Sequence, residues 1–219
     1  MATLSVGGSL VTTNDTLSNG VQDNITRLGT VTSGTAQLGS MVKLASASST
    51  SNVTYVDVEG VFDDSIYLEY FWSINEFAVN PWATGGHPRF EFLTASGTPF
   101  TGSNYQWIHG TSYANTTQSS TQEQTRSGKN QSNFEEMDGT WNWQANSPSY
   151  WHIWITNPTV AKRTMMRYNM GVNPNGSDYM LATIGNCMLD NTVAITGARM
   201  QFADTTCGSH QYVLYGIKK

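Results

Sequence analysis

From Val53 onward the chain alternates between apolar and polar residues with a period of two, the mark of strands that bury one face. Ile66, Leu68, Tyr70, Trp72 and Ile74 share one face of a strand over 66–74. Phe90 and Phe92 lie opposite Glu91 over 89–94. Over 104–109, Tyr105 and Trp107 share a face unless a bulge separates them, with Ile108 opposite. Trp151 to Thr156 is another strand, and Met166, Tyr168 and Met170 line one side of 163–172. Segments 179–189, 191–202 and 211–217 complete the set, the last with Gln211, Val213, Tyr215 and Ile217 on one face. Asp63-Asp64, Asn80-Pro81, Gly85-Gly86, Asn157-Pro158 and Asn173-Pro-Asn-Gly176 supply turns between them. Many short strands joined by turn residues, without a strong helical period, predict an all-β sandwich, jelly-roll-like in architecture.

Two stretches depart from that pattern. Residues 1 to 50 contain no aromatic side chain, and about a third are Ser or Thr. Such a stretch buries too little surface to offset its ordering entropy alone. Leu17, Val21, Ile25 and Leu28 recur at three- and four-residue spacing, which would make one apolar stripe on a helix. Gly20 and the surrounding Ser, Thr and Asn weaken that helix. The expectation is an extended N-terminal arm over 1–52 that orders against a partner, followed by a sandwich domain over 53–219. The second stretch, 111–133, has no aliphatic residue after Tyr113 except Ala114. It is either one long polar loop or two strands joined by one.

Composition narrows the function. Charged residues are only 12%, about half the usual share, while Ser, Thr, Asn and Gln make up 78 of 219. The net charge of -5 argues against a nucleic-acid partner, which wants a basic face. No apolar run approaches the roughly 20 residues that span a membrane. The first ten residues lack the basic and apolar regions of a secretory signal, so none is expected there.

Catalytic constellations are thin. His87, His109, His152 and His210 show no metal-ligand spacing, and no nucleophile elbow, phosphate loop or dinucleotide fingerprint occurs. Glycoside cleavage needs two facing carboxylates. Asp63 with Asp64 reads as a turn, and neither Glu69 with Glu76 nor Glu135 with Glu136 carries a sign of a raised pKa. The expectation is a non-enzymatic protein with no catalytic residue, no metal and no cofactor. Cys187 and Cys207 are too few for a disulfide framework; free thiols or a single pair remain open.

Seven tryptophans are the most unusual feature. Aromatic faces stack on pyranose rings, and large rings also supply most burial in a sandwich. Trp72 and Trp154 read as packing residues. Trp107, Trp141 and Trp143 flank the polar 111–133 stretch and are the candidate carbohydrate-binding set. Met165, Met166, Met170, Met180 and Met188 read as core filling.

Near the C-terminus, Ile195-Thr-Gly-Ala-Arg-Met-Gln-Phe202, a short polar turn and Tyr212-Val-Leu-Tyr-Gly-Ile-Lys218 resemble the closing hairpin of many tailed-bacteriophage structural proteins. Val56-Asp-Val58, Asp63-Asp-Ser-Ile-Tyr67, Phe90-Glu-Phe-Leu-Thr94 and Ser103-Asn-Tyr105 are also similar to that family. The usual Gly-Asn of the last turn is here Cys207-Gly208. The resemblance spans roughly 53 to 219. It implies a virion structural protein, made in the host cytoplasm and displayed on the virion surface. It further implies a homotrimer whose partners are other virion proteins of capsid or tail. A capsid decoration or head-fibre protein docked by Leu17, Val21, Ile25 and Leu28 is the expected role. The alternative is a tail-fibre or receptor-binding module that takes a host-surface glycan.

Overall fold

The computed structural model describes residues 4–6, 9–11, 41–77, 79–80, 87–95, 97–115, 122–134, 149–159, 162–173, 179–203 and 206–219. The chain divides into two units, Met1–Leu38 and Gly39–Lys219. In the first, Leu4–Val6 (β1) and Ser9–Val11 (β2) pair antiparallel, Leu4 opposite Val11. The proposed docking residues Leu17, Val21, Ile25 and Leu28 lie outside the described residues.

The second unit is an all-β sandwich. Its strands are Met41–Ser49 (β3), Tyr55–Glu59 (β4), Tyr67–Asn75 (β5), Val79–Asn80 (β6), Pro88–Leu93 (β7), Tyr105–Asn115 (β8) and Gln122–Gln131 (β9). They continue with Ser149–Thr156 (β10), Thr164–Val172 (β11), Tyr179–Leu189 (β12), Gly197–Phe202 (β13), Thr206–Cys207 (β14) and His210–Lys218 (β15). Eight form one antiparallel sheet in the order β3-β15-β5-β10-β11-β12-β8-β9. A three-stranded sheet, β4-β13-β7, packs against one face of it, and β6 pairs with β14.

The core lies between the sheets. The large sheet contributes Tyr70, Trp72 and Ile74, then Trp151, Ile153 and Ile155, then Met166, Tyr168 and Met170. The small sheet answers with Val56, Val58, Phe90, Phe92, Ala198 and Met200. Aromatic pairs lock the layers: Phe77 stacks on Phe202 with centroids 4.7 Å apart, and Phe92 on Tyr105 at 6.0 Å. The Phe92 amide also donates to the Tyr105 hydroxyl at 2.9 Å, which satisfies a polar group in the apolar layer. Burial of each such ring removes roughly 150–250 Å² from water, worth about 4–6 kcal/mol before entropy is subtracted.

Three expectations need correction. The sandwich does not begin at residue 53, because β3 pairs with β15 from Met41↔Ile217 to Ser49↔His210. A strand without aromatics joins a sheet through its backbone, which composition does not report. The expected strand over 191–202 starts only at Gly197. Before it, the Ile195 amide donates to the Pro158 carbonyl at 2.6 Å and the Thr196 amide to the Leu93 carbonyl at 2.8 Å, so these groups serve loops rather than one ladder. Third, two of the methionines, Met165 and Met180, lie outside the core. The polar 111–133 stretch resolves into the end of β8 and all of β9. The bulge near Trp107 falls on β9: Tyr105 faces Gln131 and Trp107 faces Gly128, with Asn130 at φ 57° taking up the extra residue. β8 itself keeps its alternation, so Tyr105, Trp107, His109, Thr111 and Tyr113 all point inward.

Candidate functional site

Trp107 is the one member of the predicted aromatic set that can be placed; Trp141 and Trp143 lie outside the described residues. Its ring stacks beside His109 at 5.3 Å and 9°, and meets buried Phe134 at 5.3 Å. It also covers Gly128, where a Cβ would come within 2.4 Å of the indole. Most of the ring is therefore spent on packing. Its strand segment also borders an open depression of about 510 Å³ whose wall includes Gln106, Ile108, Ser127, Lys129, Met165 and Asn186.

The other candidate groups have structural partners. Asp63 accepts hydrogen bonds from the amide and hydroxyl of Ser65, at 2.9 and 2.5 Å, which hold its carboxyl below the usual range. The Asp64 carboxylate accepts from the Thr159 amide at 2.7 Å and the Asp64 amide donates back to Thr159 Oγ1 at 3.1 Å. This reciprocal pair ties the turn before β5 to the one after β10. Glu69 pairs with Arg167 at 3.2 Å. Glu135 and Glu136 lie outside the described residues. Among the described residues no group of three or more His, Cys, Asp or Glu side chains is placed to hold a metal ion. Cys187 and Cys207 are both buried free thiols. Burial pushes the Cys187 thiol far up and the Cys207 thiol to about 12, so neither is a ready nucleophile.

The residues that carry the family resemblance do structural work, and they do it together. Arg199 forks onto Asp57, with Nε to Oδ1 at 2.8 Å and Nη2 to Oδ2 at 2.7 Å. The same guanidinium lies 3.5 Å over the Tyr55 ring. The two partners are cross-strand neighbours on β13 and β4. Gly197 lies where a Cβ would meet the Val58 carbonyl oxygen at 2.4 Å, so only glycine lets the strands close up there. Ile195, Phe202 and Leu214 are buried, and Gly216 lies under the Tyr67 ring. The motif thus links β4, β5, β13 and β15.

What sequence reasoning missed is the outward face of the eight-stranded sheet. Tyr215, Phe71 and Trp154 are neighbours on β15, β5 and β10 and form a stacked row, with centroids 6.3 and 5.0 Å apart. Arg167 on β11 closes the row with its guanidinium 5.0 Å over Trp154. Trp154 is therefore an outer-face residue, unlike fully buried Trp72. Ring faces stack on one another across strands, which is how a sheet surface tolerates large aromatics. Farther along, Met165, Met180, Ile184 and Ile108 stand exposed on β11, β12 and β8. Met166 and Met170 fill the core as expected, but Met165 and Met180 do not. The usable signal was β12 itself, Tyr179-Met-Leu-Ala-Thr-Ile-Gly-Asn-Cys-Met-Leu189, apolar at nearly every position instead of alternating. Such a strand expects cover on both faces.

Compared with protein families, curated proteins and solved structures, the chain matches none of them.

Proposed function

We propose that this chain is a non-enzymatic structural protein of a tailed-bacteriophage virion, a capsid decoration or head-fibre protein docked through the residues that precede β3. The observation that supports this reading is the closing motif. Its residues, from Ile195 to Lys218, include those that join β13 to β4 through the Arg199–Asp57 fork and the tight Gly197 crossing, and those of β15 that pair with β5 in the large sheet. The resemblance therefore falls on positions with a physical reason to be retained, not on interchangeable surface residues. A surface rich in Ser, Thr, Asn and Gln with few charges suits a part that must stay soluble on a particle and bind little nucleic acid.

The test is electron microscopy, adsorption and heat-stability measurement on virions lacking the protein. Intact heads with normal adsorption and lowered stability are expected. Lost adsorption with unchanged heads would instead support the second reading, a tail-fibre or receptor-binding module. That reading has its own observation in the depression beside Trp107 with Gln106, Lys129 and Asn186 in its wall. Glycan-array binding that disappears in Trp107→Ala would favour it.

A further inference from the structure

The three-stranded sheet covers one face of the eight-stranded sheet. The other face, over the central strands β8, β10, β11 and β12, is unusually apolar for a surface. Outward residues on β12 run Met180, Ala182, Ile184, Asn186 and Met188. Ile108 and Gly110 on β8 and Met165 and Asn169 on β11 flank them. Ile184 is 70% exposed, Met180 56%, Ile108 52%, Met165 43% and Tyr150 39%. Among the described outward residues of these four strands, Arg167 alone carries a fixed charge, and Glu69 neutralises it. His152 is the other titratable group on this face.

We propose that this face is covered by a second copy of the same chain. Two arguments select that occupant. The first is charge. The whole chain carries -5, so most pairs of identical surfaces would repel, but two copies of this face meet without like charges opposed. The second is area. At roughly 175 Å² for a fully exposed large side chain, the five residues present about 450 Å² of apolar surface, as large as the largest apolar patch of a typical monomer, which is often a contact site. A standard interface buries about 800 Å² per partner, somewhat over half of it apolar, so about 450 Å² is the apolar share such an interface needs. Gly110, the cross-strand partner of Ile184, has nothing within 4 Å of where a Cβ would stand, which leaves the flank of Ile184 open to a partner's side chain. The inference goes beyond the virion reading and does not depend on it, since a chain absent from particles would still self-associate.

Sedimentation velocity of the full-length chain over a wide dilution range tests it. Wild type is expected to sediment as an oligomer that dissociates on dilution. Ile184→Lys, and the double variant with Ile108→Lys, are expected to sediment as monomers with an unchanged circular-dichroism spectrum. Leu68→Lys is the control, because Leu68 is 57% exposed yet stands at the bulged end of β5, outside the four strands of this face. It should assemble as wild type does. A monomeric wild type would overturn the proposal. So would Ile184→Lys that still assembles, or a Leu68→Lys variant that alone dissociates. A monomeric wild type whose tryptophan emission shifts with an added oligosaccharide would assign the face to a glycan instead.

Discussion

Replacing Arg199 with Met removes the cation from a well-enclosed ion pair on the three-stranded sheet. The side chains of Arg199 and Asp57 are only 11% and 16% exposed, and two hydrogen bonds of 2.7–2.8 Å join them. Methionine keeps the length and apolar stem but leaves the Asp57 carboxylate half-desolvated and without its fork. Breaking a buried pair from one side costs about 3–5 kcal/mol. The residual exposure lets water reach Asp57, so the lower end, about 3 kcal/mol, is expected. For a chain of this size a urea m-value near 3 kcal/mol/M is reasonable, which places the midpoint about 1 M lower. The hydrogen bond to Asp57 holds the guanidinium pKa above its ordinary, already high value. A raised folded pKa adds stability below the unfolded value and loses it only as pH rises through the folded one. The Arg199 contribution should therefore be flat through the neutral and mildly alkaline range. Combining Arg199→Met with Asp57→Leu removes the orphaned charge and should recover most of the loss. Urea unfolding of the two single variants and the double variant measures this coupling. A single-variant loss below about 0.5 kcal/mol with no coupling would refute the argument, and would mean the pair is screened like an ordinary surface bridge.

Gly185→Ala sets a Cβ within 2.3 Å of the buried Tyr168 ring and should cost about 1–3 kcal/mol in thermal or urea unfolding. Gly110→Ala meets nothing within 4 Å and should be neutral or stabilising by up to about 1 kcal/mol. Both thiols should resist a thiol-specific chromogenic reagent in the native protein and react fully in denaturant, with no mass change on reduction. Arg167→Ala should cost under about 1 kcal/mol, with a salt-dependent part, and should shift Trp154 emission to longer wavelength because the guanidinium no longer covers the ring.

Strand positions were legible because alternation is a local property. Tyr70, Trp72 and Ile74 are buried on one face of β5 as their spacing required. Leu68 shares that parity yet is 57% exposed, because the ladder with β15 slips there: Glu69 and Tyr67 are paired, Leu68 is the extra residue, and Tyr67 packs against Tyr70 in its place. Trp151 and Trp154, three residues apart, take opposite faces of β10, but their spacing does not say which face is covered. Periodicity says which residues share a face, but the cover on that face comes from strands distant in sequence. Here β4, β7 and β13 lie over one side of the large sheet and leave the Trp154 side to the aromatic row. β3 was illegible because Met41–Ser49 joins by backbone pairing with small residues. Of the carbohydrate set, Trp107 shares a face with His109 by alternation on β8, but its cover by Gly128 and Phe134 comes from residues beyond the strand, which no motif announced.

A side-chain-resolution reconstruction of the protein in its assembled particle tests the account most directly. The account predicts a sandwich present on the particle, with Ile184 and Ile108 of one copy buried against another. Absence of the chain from the particle, or its presence with that sheet face open to solvent, would contradict it.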